Sequence, residues 1–180
     1  MTSKLRLAFA SVCCVALVGC KPIREVINNT LNAGTVEGVS QCIEMSAREI
    51  LSEETIKINC IARFNKDVSP STAQNVTGNA GPRSQSGSDF FSGTMTNKTE
   101  GHVITEVVVV VEFRKVGETE GKRFQAVISG WFEPNGNPVD FRSKDVEDAP
   151  AAWDVSKYCE DEAGDDCWGW YIQSVKGLKL

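Results

Sequence analysis

The sequence predicts an α+β protein in which an N-terminal helical hairpin precedes an antiparallel β-sandwich. Two observations predict this class. Apolar residues recur at helical spacing between residues 36 and 66, and from residue 90 onward they alternate in short runs separated by turns. The length of 180 residues suits one domain with a sizeable core.

The first nineteen residues form a signal peptide. Lys4 and Arg6 supply a basic start, and residues 7–18 are an uncharged, largely apolar run. This run is too short for a membrane-spanning helix, which needs about 20 apolar residues. The domain boundary after residue 19 therefore separates an export signal from the mature chain.

The signal peptide ends in Leu17-Val18-Gly19-Cys20, which resembles the lipobox of bacterial lipoproteins. The resemblance implies that Cys20 begins the mature chain and carries the lipid, so that the partner at this end is a membrane. Residues 20–35 are then a lipidated tether. Lys21 follows the cysteine where an Asp would retain the protein in the inner membrane, which favours the outer membrane. The alternative is an ordinary secretory signal or an uncleaved anchor.

The cysteines that remain after processing indicate disulfides. An even number of cysteines in an oxidising compartment suggests two bridges, and three pairings are open. We favour the local pairs Cys42–Cys60 and Cys159–Cys167. A zinc site is the alternative, but no CxxC spacing occurs.

Residues 36–66 have the pattern of two helices. Val36, Val39 and Ile43 begin a single apolar face. Ser52 is placed to cap a second helix whose first turn is acidic. An antiparallel pair joined near residue 51 would bring the first two cysteines within bonding distance.

Residues 67–89 are rich in Gly, Ser, Asn and Pro and carry few large apolar side chains. We expect a flexible polar loop here, and a binding loop is the alternative.

Residues 90–180 read as a β-sandwich domain. In the run 102–115, Val103, Val107, Val109, Val111 and Phe113 share one face. Further strands are expected over 90–96, 123–132, 139–141 and 167–176, with turns between them.

The stretch from Phe91 to Asn97, followed by Ile104 to Val109, is similar to the FxLYD kind of immunoglobulin-like module found in bacterial cell envelopes. Those modules have a G-x-V-x-N turn before a strand of alternating Val. Met95 occupies the aliphatic position in this chain. The resemblance implies an Ig-like sandwich and carries no activity with it.

Catalytic patterns are absent from the sequence. His102 is the single candidate base, and it opens a strand after a turn, where a structural His is usual. No GxSxG, HExxH or phosphate-binding Gly motif occurs. We expect neither an enzyme nor a bound cofactor, and the net charge of −5 argues against nucleic acid.

Two features could bind a ligand or partner. The acidic run 160–166 offers Asp161, Glu162, Asp165 and Asp166 as oxygen ligands for Ca²⁺, although a solvated charge run is the commoner outcome. Trp131 is expected to point outward on its strand. Two interpretations are open for it, a partner-binding residue and a core residue. Trp168 and Trp170 are expected in the core.

These observations predict an anchored envelope lipoprotein with a structural or protein-binding role, whose partner is another envelope protein. The alternative is a ligand-binding, Ca²⁺-binding or host-facing module that uses the acidic run or exposed aromatic residues.

Overall fold

A computed structural model describes residues 33–47, 50–114, 121–146, 153 and 167–180. Within these residues the chain has an α+β fold, as predicted, with three helices and seven strands. The helices are α1 (Val36–Ser46), α2 (Glu53–Phe64) and the single-turn α3 (Pro70–Ala73). The strands are β1 (Lys66–Asp67), β2 (Val76–Gln85), β3 (Ser88–Asn97), β4 (His102–Phe113), β5 (Lys122–Phe132), β6 (Val139–Arg142) and β7 (Trp168–Lys179).

The strands form two antiparallel sheets. One is four-stranded with the order β1-β7-β4-β5, and the other is three-stranded with the order β2-β3-β6. Side chains from both sheets enter one core, which includes Phe91 and Met95 of β3 and Val107, Val109 and Val111 of β4. Two packed antiparallel sheets fit the predicted β-sandwich.

Helices α1 and α2 occupy the segment that the sequence predicts as helical. Thr35 and Ser52 cap them, since each side chain accepts a hydrogen bond from a first-turn N–H group. Cys42 and Cys60 form a disulfide between the helices, which is the predicted pair. The two helices share a second apolar cluster with Leu178 of β7, so they are packed on the four-stranded sheet.

The expectation of a flexible polar loop over residues 67–89 is wrong. Strand β2 pairs with β3 along its whole length, from Val76 to Gln85. Ser86 and Gly87 both have positive φ, of 54° and 82°, as a two-residue hairpin turn requires. The polar composition misled the prediction, because β2 is an edge strand with most of its residues exposed.

The small residues of β2 accommodate the tryptophans of β7. A Cβ atom at Gly78 would lie 3.5 Å from Cη2 of Trp170, and one at Gly81 would lie 3.3 Å from Cη2 of Trp168. The glycines that suggest a loop in the sequence therefore permit close packing between the two sheets.

Irregularities in pairing change which β4 residues share a face. The registers with β5 and β7 both shift between Ile104 and Glu106. As a result Ile104 joins the core with Val107, whereas Val103 pairs with Leu178 on the helix-covered side. The prediction that Val103 shares the face of Val107 is wrong, because a bulge reverses the alternation.

A buried asparagine joins the sheets where the chain passes from β3 to β4. The Asn97 side-chain amide donates to the carbonyl oxygens of His102 (2.8 Å) and Phe132 (2.9 Å). Its Oδ1 accepts bonds from the backbone N–H and the hydroxyl of Thr99. Asn97 belongs to the three-stranded sheet and the two carbonyls to the four-stranded sheet, so one side chain links both.

Trp153 closes the other end of the core. Its side chain is fully buried among Phe113 and Phe124, and its Nε1 donates to the carbonyl oxygen of Phe90 at 2.9 Å. Near it, the N–H of Val146 donates to the carbonyl of Asp89 on β3. The chain after β6 is therefore attached to the sandwich core.

We predict that Trp153→Phe lowers the free energy of unfolding by about 1–3 kcal/mol, because the buried Phe90 carbonyl loses its donor while most of the ring volume stays. Urea denaturation measures this loss. Tyr171→Phe, at an exposed position, is the control and is expected to change stability by less than about 0.5 kcal/mol. Equal stability of the Trp153 variant and the wild type would contradict the account.

Candidate binding site at the edge of strand β7

Several predicted site residues lie outside the described residues: the lipidation residue Cys20, the disulfide residue Cys159, and the proposed Ca²⁺ ligands Asp161, Glu162, Asp165 and Asp166. Cys167 is disulfide-bonded, as expected. In the described part of the chain, no group of three or more His, Cys, Asp or Glu side chains is placed to hold a metal ion. The Ca²⁺ site on residues 160–166 stays a prediction.

Trp131 points away from the core between the sheets, as expected, but the helices cover it. It packs against the cluster of α1 and α2. Its Nε1 donates to Glu133 at 2.6 Å, and Nζ of Lys57 on α2 lies 5.4 Å from the ring centroid. The ring therefore attaches the helices to the sheet and is half-buried by contacts within the chain.

His102 begins β4 and contributes through its backbone. Its carbonyl oxygen accepts bonds from Asn97 and from the Thr99 hydroxyl. Trp168 and Trp170 lie on the core side of β7, where they pack against the shared core. These aromatic residues are thus placed by packing between the sheets.

A groove of about 420 Å³ runs along β7 where β1 ends. Its apolar lining is supplied by Val68, Ala73, Val76, Ile172 and Val175. The polar residues Gln74 and Gln173 line it as well, and the Gln173 side chain accepts a hydrogen bond from Gln125 of β5 at 2.8 Å. Apolar walls with a few polar groups are typical of binding sites in proteins.

The groove exists because β1 is short. Lys66 and Asp67 pair with Gly177 and Lys176, and the N–H of Val68 donates to the carbonyl of Val175 at 3.0 Å. Ser69 then caps α3, whose first residue is Pro70, and the chain leaves the sheet. From Trp168 to Ser174, no strand among the described residues pairs with this side of β7.

This groove was not predicted from the sequence. The residues that indicate it are Ser69 and Pro70, because a Ser-Pro step starts a helix and so ends the strand before it. This step lay within the segment expected to be a loop, so neither β1 nor its early end was predicted.

Next to the groove, Lys176 of β7 is paired with Glu106 of β4. Nζ of Lys176 lies 2.7 Å from Oε1 of Glu106. This hydrogen bond, with the attraction of the carboxylate, raises the pKa of Lys176, and the nearby Asp67 carboxylate acts in the same direction. Lys176 is thus held at the end of the groove as a cation.

A second ion cluster lies at the far end of β4. Glu112 accepts bonds from Arg114 at 2.8 Å and Arg123 at 3.0 Å. These side-chain hydrogen bonds, that to Arg114 first, lower the pKa of the Glu112 carboxyl. The cluster joins β4 to β5 on the surface of the sheet.

Two other exposed surfaces are weaker candidates for a binding site. Met45, Ile50 and Leu51 are exposed near the connection between α1 and α2. A second depression, of about 460 Å³, lies over β2 and β3 with Asp140 of β6 at its margin. The backbone groups of β2 and β3 there are already paired with each other, so this depression offers side chains alone.

The chain matches no family model, no curated protein and no solved structure. In the described residues, no helix combines the length and apolar character needed to cross a membrane.

We predict a pH dependence from Glu112. Because the folded-state pKa of its carboxyl is lowered, the ion pairs stabilise the fold above the ordinary value of 4.5, and the contribution disappears as the pH falls through the folded-state pKa. The stability difference between wild type and Glu112→Gln should be present at neutral pH and shrink below 4.5. Thermal unfolding across this range measures it.

Glu100→Gln, at an exposed position in the turn between β3 and β4, is the matched control, for which we expect no such acid-dependent difference. A difference for Glu112→Gln that stays constant from neutral to acidic pH would contradict the assignment.

Proposed function

We propose that the protein is a lipid-anchored lipoprotein of the bacterial cell envelope with a non-catalytic protein-binding role, held by Cys20 and located at the outer membrane rather than the inner one. The observation that carries this proposal is the disulfide between Cys42 and Cys60, together with the disulfide-bonded state of Cys167. Disulfides persist in exported proteins and are rare in the cytosol. The signal peptide and lipobox agree with export.

The proposed anchor suits the position of the folded part. Twelve residues, 21–32, lie between Cys20 and Ala33, where the described chain begins. An extended chain of this length reaches roughly 45 Å. Gly34 and Thr35 are then joined to Lys179 at the end of β7. The tether would enter the domain at the end of β7 that pairs with Thr35 and β1, away from residues 168–174.

The helical hairpin and the Ig-like sandwich are the finer form of the fold that we propose. The shared core between two antiparallel sheets supports the sandwich, and the disulfide between α1 and α2 supports the hairpin. Asn97 ends β3 in the position that the FxLYD resemblance gives to its Asn. Its buried amide supplies a physical reason for an Asn there.

Binding is the role that the exposed features support. The groove beside β7 combines apolar side chains with backbone groups that no described strand pairs, and Asp67 is the one charged residue among those that line it. Such a surface favours recognition of another polypeptide.

We predict that Cys20→Ala abolishes incorporation of labelled palmitate when the full chain is expressed in a Gram-negative host, because no thiol remains at the lipobox position. Gel fluorography of the immunoprecipitated protein measures the label. Cys13→Ala is the matched control, since Cys13 lies within the proposed signal peptide and should leave labelling unchanged.

Label that persists in the Cys20 variant, or a wild-type chain without label, would overturn the anchor. Lys21→Asp tests the membrane: it is expected to move the protein from the outer-membrane to the inner-membrane fraction without loss of palmitate.

A further inference from the structure

The open edge of β7 has a chemistry of its own. Alternate residues of an edge strand present their N–H and C=O groups outward, and these groups bind most readily to another extended backbone. Within the described part of the chain, no strand pairs with residues 168–174 on this side, whereas the other end of β7 is paired with β1 and with Thr35.

The other edges are less suited to strand addition. β2 contains Pro82, which has no N–H group to donate. On β5 the Val127 carbonyl accepts a bond from the N–H of Lys144 at 3.1 Å. β6 has four residues. β7 therefore offers the longest open run with an apolar groove beside it.

We propose that the β7 edge binds an extended segment of a partner protein, which adds to the four-stranded sheet as an antiparallel strand. Alternate side chains of that segment, of apolar character, enter the groove between Val68 and Ile172. The inference deepens the proposed binding role and rests on it, but it does not depend on the lipid anchor.

The groove favours a single strand over a second copy of the domain. After Val68 the chain turns away through α3 and forms the outer wall of the groove. That wall leaves space for one extended segment beside β7, whereas a second four-stranded sheet would meet α3.

Hydrogen exchange tests this addition directly. The full-length chain in detergent micelles is titrated with the peptide Lys-Thr-Val-Thr-Val-Thr-Val-Lys, acetylated and amidated at its ends, and exchange is followed by mass spectrometry. We expect amides in the segment 168–174 to exchange at least tenfold more slowly at saturating peptide, since new backbone bonds protect them. Amides of β2 should be unchanged.

Gln74→Trp and Ser71→Trp form a matched pair. Gln74, the C-cap of α3, lines the groove, whereas Ser71 within α3 does not. Gln74→Trp should weaken peptide binding at least tenfold, and Ser71→Trp should leave it within twofold of the wild type. Circular dichroism and thermal unfolding verify that both variants are folded.

Three outcomes would overturn the proposal: no slowing in 168–174 at millimolar peptide, protection confined to β2, or protection that appears without peptide as a dimer forms. A failure here with palmitate still attached to Cys20 removes strand addition and leaves the anchor. Loss of palmitate labelling with the peptide protection intact removes the lipid anchor and leaves strand addition.

Discussion

The structure depends on the turn at which the chain passes from the three-stranded sheet to the four-stranded one. A buried polar group is tolerated when its hydrogen bonds are made, and Asn97 makes them to backbone groups of its own turn and of both strands it faces. The bonds are directional, so they specify how the sheets are aligned as well as how closely they pack. The core tryptophans and the groove beside β7 both depend on that alignment.

The parts of the fold with strong local signals could be predicted from the sequence. The capping residue Ser52 and the acidic first turn of α2 are local features, and the strands from β3 to β7 alternate clearly. The Cys42–Cys60 pair followed from the spacing of two adjacent helices. In each case the information lies within about twenty residues.

The features that could not be predicted depend on contacts between residues that are far apart in the sequence. β2 has a loop-like composition because its glycines lie against Trp168 and Trp170, which are about ninety residues away. The reversal of Val103 and Ile104 arises from a bulge set by neighbouring strands. The outward direction of Trp131 was predicted correctly. Its partial burial by α1 and α2 was not, because the fold brings the helices to that face. The groove forms because β1 ends early, and no periodic pattern in the sequence predicts that end.

These features describe a domain with a division of surfaces. The helices cover one part of the four-stranded sheet, the sandwich core fills the other face, and the tether and β1 cover one end of β7. Among the described residues, no strand pairs with the stretch 168–174 of β7, which lies beside the apolar groove and roughly 20 Å along the strand from Thr35.

We infer that the hydrogen bonds of Asn97 and Thr99 act as one unit that holds the sheets together. A double-mutant cycle with Asn97→Ala and Thr99→Val, measured by urea unfolding, tests it most directly. We predict that the two losses of stability are coupled by at least about 1 kcal/mol, because the Thr99 hydroxyl shares its one proton between Oδ1 of Asn97 and the carbonyl of His102, to which the Asn97 amide also donates. Losses that add to within about 0.3 kcal/mol would contradict the claim.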